Sequence, residues 1–272
     1  MLHAIVQGKS KIYRRYLGHR DGAEVHVSEE DEITSTILGP LCLLDPSDVA
    51  SFWREVLKPT HQKDFLIDEK PITAKVSLWP SRWVSDSSRS RVEPDLLIEL
   101  SWKGESEGDP DRKRMLLCEL KWRANLSGDD QLKLQWTKFL CQKERDDAIH
   151  IFLGLELSAG ISAFERDKVW GDAPEHRLVL LSWLGVRHSL KCIRNETTPL
   201  GRWADLSDRF LERLQVRQFR GFHSIEPVPS LPQVLTEQPI FWRPSTFKGL
   251  MSRIPPTTVP LSNLQPIFFE RG

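Results

Sequence analysis

Residues 94–122 constrain the fold more than any other part of the chain, because they hold two apolar runs joined by a connector too polar to be buried. The first run is Pro94-Asp95-Leu96-Leu97-Ile98-Glu99-Leu100; the second is Met115-Leu116-Leu117-Cys118-Glu119-Leu120-Lys121-Trp122. The loop from Ser101 to Arg114 between them is rich in Gly, Pro and charge, so the pair reads as two neighbouring strands of one sheet. Alternation along a strand puts Leu117, Glu119 and Lys121 on one face and Leu116, Cys118, Leu120 and Trp122 on the other. The same rule groups Asp95, Leu97 and Glu99. If the strands pair, Asp95 meets Glu119, with the Lys121 ammonium beside them.

Two carboxylates at the edge of an apolar sheet repel each other and lose hydration, so one protonates or a cation sits between them. Oxygen donors from Asp and Glu suit a hard cation such as Mg2+, which keeps several waters and shares its shell with substrate phosphates. A cation and an ammonium together would offset the charge that builds on a phosphate in its transition state. Acid-x-Lys tripeptides are common: about two are expected by chance in a chain of this composition. Asp68-Glu69-Lys70 and Asp111-Arg112-Lys113 also match, but neither follows an apolar strand. Glu119-Leu120-Lys121 does, and a Pro-Asp strand precedes it. The plain alternative is an exposed Glu and Lys on an amphipathic strand.

Pro94-Asp95 followed by Glu119-Leu120-Lys121 at the end of an apolar strand resembles the PD-(D/E)XK nuclease superfamily, the fold of restriction endonucleases. The resemblance covers roughly residues 25 to 190. It implies an α/β fold with a restriction-endonuclease-like core, a mixed central β-sheet flanked by helices. It also implies that Asp95, Glu119 and the Leu120 carbonyl hold Mg2+, with Mn2+ able to substitute, and that Lys121 orients or activates water. The segment Glu30-Asp31-Glu32-Ile33-Thr34-Ser35, then Leu38-Gly39-Pro40-Leu41, is similar to the first core helix of several branches, and Glu30 aligns with the acid that completes their metal site. Acids in a first helical turn are equally explained by the helix dipole. Gln131 matches a glutamine that lines the active site in several of these families; a solvent-facing glutamine is the other reading.

Net charge is zero, so charge as a whole favours no particular partner, while 39% hydrophobic and 28% charged residues describe a globular chain. At 272 residues, one domain with appendages is expected. Cys42, Cys118, Cys141 and Cys192 lie far apart without a C-x-x-C pair, which predicts reduced, buried thiols and a cytoplasmic setting. Residues 1–7 are too short an apolar run for a signal peptide, and no stretch suits a membrane span. There is no H-x-x-x-H, G-x-S-x-G, Walker loop or G-x-G-x-x-G.

Along the chain, Ser28 and Asp31 suggest a cap for a helix carrying Ile33, Ile37, Leu38 and Leu41, which Gly39-Pro40 must bend or end. Asp45-Pro46 opens a second helix with Val49, Phe52, Trp53, Val56 and Leu57 on one face, stopped by Lys58-Pro59. From Ile72 a period of two predicts a strand. The Ser/Arg-rich stretch from Ser81 to Arg91 reads as a loop that could touch phosphates or simply be mobile. Ser127 to Asp130 reads as turn and cap, followed by a helix with Leu132, Trp136, Phe139 and Leu140 on one face and Gln131 and Gln135 beside it. Ala148 to Leu157 and Arg177 to Leu184 are further strands, with a short helix expected over 164–170 and His150 read as a hydrogen-bonded core residue.

Trp203, Leu206, Phe210, Leu211 and Leu214 mark a last helix. If it reaches Gly221, then Arg209, Arg213, Arg217 and Arg220 line one face that could follow a phosphate backbone; interspersed acids favour a salt-bridged surface instead. Residues 1–24 are expected to be a basic arm or first strand, with Lys9 and Lys11 as further candidates for backbone contacts. A nuclease-like domain is expected over 25–225. Residues 226–272 hold half of the chain's 18 prolines yet keep large apolar clusters, which predicts an extended segment that wraps the domain or docks on a partner.

The expected function is a Mg2+-dependent nuclease hydrolysing phosphodiester bonds, DNA before RNA, and most naturally an endonuclease in a restriction, phage-defence or mobile-element context. The alternative is a non-catalytic nucleic-acid-binding or scaffold subunit of a larger complex. A homodimer or a protein partner held by the C-terminal segment is the expected association, with no membrane partner.

Overall fold

The computed structural model describes residues 29–83, 91–106, 108–123, 126–172 and 175–218. The chain divides into two units, Met1–Phe219 and Arg220–Gly272, and every described residue belongs to the first. The N-terminal arm with Lys9 and Lys11, the Ser28 cap, Arg220 and the Pro-rich segment 226–272 lie outside the described residues.

In chain order the elements are α1 (Glu29–Ile37), a 3-10 turn (Gly39–Leu43), α2 (Pro46–Leu57), β1 (Thr73–Leu78), β2 (Arg82–Trp83), β3 (Arg91–Val92), β4 (Leu96–Trp102) and β5 (Arg112–Lys121). Then come α3 (Gln131–Leu134), continued by a π-helical turn (Gln135–Phe139), α4 (Gln142–Asp146), β6 (Ala148–Gly154), α5 (Ser158–Asp167), β7 (Leu178–Ser182), α6 (Trp183–Ile193) and α7 (Pro199–Arg213). Five strands form one mixed sheet in the order β1-β4-β5-β6-β7, antiparallel on the β1 side and parallel from β5 to β7. Among the described residues, no helix is long and apolar enough to cross a membrane.

The architecture is α/β because both faces of the central strands are apolar and both must be covered. Ile98, Leu116, Cys118, Leu120, Ile149, Ile151 and Val179 point to the face packed by α1, α2, α6 and α7, where Phe52, Trp53 and Trp203 join them. Leu97, Leu117, Ala148, Phe152 and Leu178 point to the opposite face, covered by Leu132, Trp136 and Phe139 and by Ala163 of α5. Gly160 lets α5 approach closely: a Cβ there would come within 2.7 Å of both Phe152 and Leu180.

Several expectations are corrected. The Ser81–Arg91 stretch is not simply a loop, since β2 and β3 pair across it, and Arg82 is committed to Glu144 by hydrogen bonds of 2.7 and 2.8 Å. The helix expected over 164–170 runs instead from Ser158 to Asp167, closed by Lys168 in the left-handed region with φ of 49°. The strand expected to Leu184 ends at Ser182, whose hydroxyl accepts from Gly185 N–H and caps α6, a helix the strand reading did not separate. Trp183, Val186 and Leu190 bury its inner face. All four cysteines are free, but only Cys118 is buried.

The basic stripe is corrected too. α7 ends at Arg213, and Gln215 turns the chain with φ of 63°. Arg187, buried against Asp208 at 2.6 Å, also donates to the Val216 carbonyl at 2.6 Å and folds the segment back. Arg217 therefore lies beyond the helix, and Arg209 faces Asp205 at 3.5 Å.

Phe52 is fully buried, with its ring edge-on to Trp53 and Trp203 at centroid distances of 5.1 and 4.9 Å. Phe52→Ala is expected to cost about 3–5 kcal/mol, measured as a fall in the urea midpoint with an unchanged slope.

Candidate active site

The β4–β5 register builds the site. Leu96 faces Cys118 and Leu97 faces Leu117, so one more antiparallel step brings Asp95 opposite Glu119. The contact is direct at the backbone: Leu120 N–H donates to Asp95 Oδ2 at 2.7 Å. Trp79 leaves β1 in the left-handed region with φ of 48°, which is strained for a side chain of this size, and its N–H donates to the Asp95 carbonyl at 2.9 Å. The chain on both sides of Asp95 is thereby tied to its neighbours.

Glu119 is 1% exposed and Lys121 8%. Lys121 Nζ lies 2.7 Å from Glu119 Oε1, 2.8 Å from Glu30 Oε1 and 3.1 Å from the Leu120 carbonyl. The second oxygen of Glu30 accepts from Trp122 N–H at 3.0 Å, so this single carboxylate pins α1 to the end of β5. Gln131 Nε2 donates to Glu119 Oε1 at 2.7 Å, while its own oxygen accepts from Ser127 N–H at 2.7 Å. Gln135, one turn further, donates to Glu119 Oε2 at 2.5 Å.

The sequence candidates Glu30, Asp95, Glu119, Lys121 and Gln131 therefore share one cleft of about 510 Å³. Arg209 and Arg213 sit on α7, and neither they nor Arg217 line it. Residues that the sequence reading did not put in the site are Gln135, whose position beside Gln131 was its only signal, and Trp79, which lines the cleft. His150, read as a bonded core residue, touches Gln135 at 3.1 Å.

The electrostatics follow from burial. Burial and then the Glu119 charge push the Asp95 carboxyl up to about 8, against the opposing pull of Lys121 and the Leu120 N–H. Burial raises Glu119 as well, partly offset by Lys121 and Gln135. For Lys121, burial alone would lower the pKa, but Glu119 and Glu30 outweigh it and hold the group as an ammonium. Among the described residues, Glu30, Asp31, Glu93, Asp95 and Glu119 line the cleft with Lys121, and Glu93 is paired with Arg91. Carboxyl groups outnumber cations in the described lining.

That donor set fits a hard divalent cation. Every side-chain ligand is oxygen, and a divalent cation would let Asp95 and Glu119 ionise together. A carboxylate has about four acceptor positions. The bonds from Lys121, Gln131 and Gln135 leave Glu119 one of these, on Oε2. Among the described residues no three His, Cys, Asp or Glu side chains close a cage around a metal. An open site of two acids and a carbonyl is the kind Mg2+ uses when water and phosphate complete its shell. No family model, curated protein or solved structure matches the chain.

Behind Gln135, burial pushes His150 down to about 3. The unfolded chain takes up a proton near its ordinary value of about 6.5 that the folded protein refuses until about pH 3. This contribution is complete above the unfolded value and is lost as pH falls through that window, at about 1.4 kcal/mol per pH unit. The stability advantage of wild type over His150→Gln, from urea unfolding at about pH 7.5 and about pH 5, is therefore expected to shrink towards acid. A constant difference would contradict a neutral His150.

Proposed function

We propose that this chain is a divalent-cation-dependent nuclease of the PD-(D/E)XK type, with a restriction-endonuclease-like core, that hydrolyses phosphodiester bonds in DNA. The observation that carries the reading is the buried Glu119–Lys121 pair facing Asp95 in a cleft whose described lining holds more carboxyl groups than cations. A phosphodiester would be repelled from such a cleft unless a divalent cation entered with it. Asp95, Glu119 and the Leu120 carbonyl would hold Mg2+, or Mn2+ in its place. Bound there, the cation would polarise the phosphate and offset the charge developing on it.

The remaining roles belong to the chain's own groups. Lys121 stays protonated, so it contributes a fixed positive charge and an oriented donor for water or phosphate oxygen, and it does not take the water's proton. Glu30 holds Lys121 in place and ties α1 to β5. Gln131 fixes Glu119 from the side of the cleft and couples it to the loop at Ser127. A restriction, phage-defence or mobile-element role would use this activity.

Supercoiled plasmid, linear DNA and RNA, each with purified full-length protein and Mg2+ or EDTA, test the reading. Nicking or linearisation that EDTA abolishes is expected. Lys121→Ala and Glu119→Gln should each lose about 100- to 1000-fold of that activity, and Gln131→Ala about tenfold or more. Cleavage undiminished in Glu119→Gln would remove the assignment. Mg2+ binding without cleavage would point to a nuclease awaiting a partner or a signal; neither cleavage nor Mg2+ binding would favour the non-catalytic nucleic-acid-binding or scaffold subunit.

A further inference from the structure

Glu119 is held from behind by three fully buried side chains in series. Gln135 Nε2 donates to Glu119 Oε2 at 2.5 Å, and Gln135 Oε1 faces His150 Nε2 at 3.1 Å. His150 Nδ1 in turn accepts from Trp170 Nε1 at 3.1 Å. Gln135 is 1% exposed, His150 0% and Trp170 2%, and the Trp136 ring stacks parallel on His150 with centroids 6.0 Å apart. The three come from separate elements: the π-helical turn, β6 and the segment after α5.

The direction of every bond in this series is determined by chemistry. An indole N–H can only donate, so His150 Nδ1 must accept. A neutral imidazole that accepts at Nδ1 carries its proton on Nε2. That proton needs an acceptor, which sets the Gln135 carboxamide with its oxygen towards His150 and its NH2 towards Glu119. Flipping the amide would put its oxygen against a carboxylate oxygen and its NH2 against the imidazole N–H, losing both bonds. Each member therefore has one orientation available, and the series ends with a donor aimed at one oxygen of Glu119.

We propose that Trp170, His150 and Gln135 form a one-way hydrogen-bond relay whose task is to fix the orientation of the Glu119 carboxylate, making all three positioning residues for the candidate metal site. Its consequence for metal binding rests on the functional reading above; the relay itself does not. Such outer partners commonly change metal affinity by about 10- to 100-fold when removed, because an undirected ligand must be ordered at the moment of binding. The relay also explains a histidine in the middle of an otherwise apolar strand. A group with an acceptor on one side and a donor on the other is needed to carry the polarity of Trp170 through to Gln135, and burial keeps it neutral.

Two readouts on the full-length chain separate the relay from the function. In metal-free 15N-labelled protein, long-range 1H–15N spectra are expected to show His150 as the Nε2–H tautomer. In Trp170→Phe the tautomers should mix, and the Gln135 carboxamide protons should move towards ordinary positions. An Nδ1–H tautomer in the wild type, or Gln135 resonances unmoved in folded Trp170→Phe, would overturn the relay whether or not metal binds. Calorimetric titration with Mn2+ then reads the consequence: Trp170→Phe and His150→Gln are expected to weaken binding by about 10- to 100-fold while unfolding cooperatively. Equal Mn2+ affinity in folded variants would overturn the positioning role. A wild type with the expected tautomer but no Mn2+ affinity would leave the hydrogen-bond relay standing, overturn its role at a metal site and sink the metal-dependent reading instead.

Discussion

A carboxylate buried in the middle of an apolar layer is the constraint from which the rest of the site follows. Glu119 leaves water almost completely, and an ionised carboxylate so placed costs several kcal/mol unless its lone pairs are met. They are met from three directions, by Lys121 on the same strand and by Gln131 and Gln135 on the helix laid over it. Each of these donors then makes its own demand. Lys121 draws in Glu30, Gln131 draws in the loop at Ser127, and Gln135 draws in His150 and Trp170. One buried charge thus specifies the positions of a strand end, a helix start, a π-helical turn and two aromatic groups.

The site is also strained in charge. Asp95 is held beside Glu119 by a backbone N–H and by the sheet register, although the Glu119 charge raises its cost of ionising. A protein under selection for stability alone would replace such a pair with apolar side chains of similar size, which is often neutral or stabilising. The left-handed backbone at Trp79, packed against the same residue, adds to the local cost. Perturbed titration and backbone strain at one cleft are the pattern expected where stability is given up for function. The apolar layers on both faces of the sheet bury Glu119 on the inner side of the cleft, which strengthens its bonds to Lys121 and Gln135.

Much of the frame was legible because burial imposes period. Four of the sheet strands announced themselves as apolar runs and β1 by its period of two, and the Pro46–Leu57 helix as a clean stripe of Val49, Phe52, Trp53, Val56 and Leu57. Where reading failed, a local signal was overruled by packing. Gly160 looks like a loop residue, yet it sits inside α5 because only a glycine lets that helix lie on Phe152 and Leu180. The run from Arg177 to Leu184 hides a change of element at Ser182, whose capping of Gly185 was its only local sign. The basic stripe failed because Arg187 reaches over from another helix and turns the chain at Gln215.

The sequence by itself determined the alternation that puts Glu119 and Lys121 on one face of a strand, and the presence of an acid at the mouth of its neighbour. Those are properties of adjacent residues, set by the two-residue repeat of an extended chain. Only the tertiary structure decided that Glu30 would reach Lys121 from α1, that both glutamines would turn to the same carboxylate, and that His150 and Trp170 would stand behind them. Such contacts join residues far apart in the chain. Their existence depends on how helices settle over a sheet, and on the rule that every polar group they bury must find a partner.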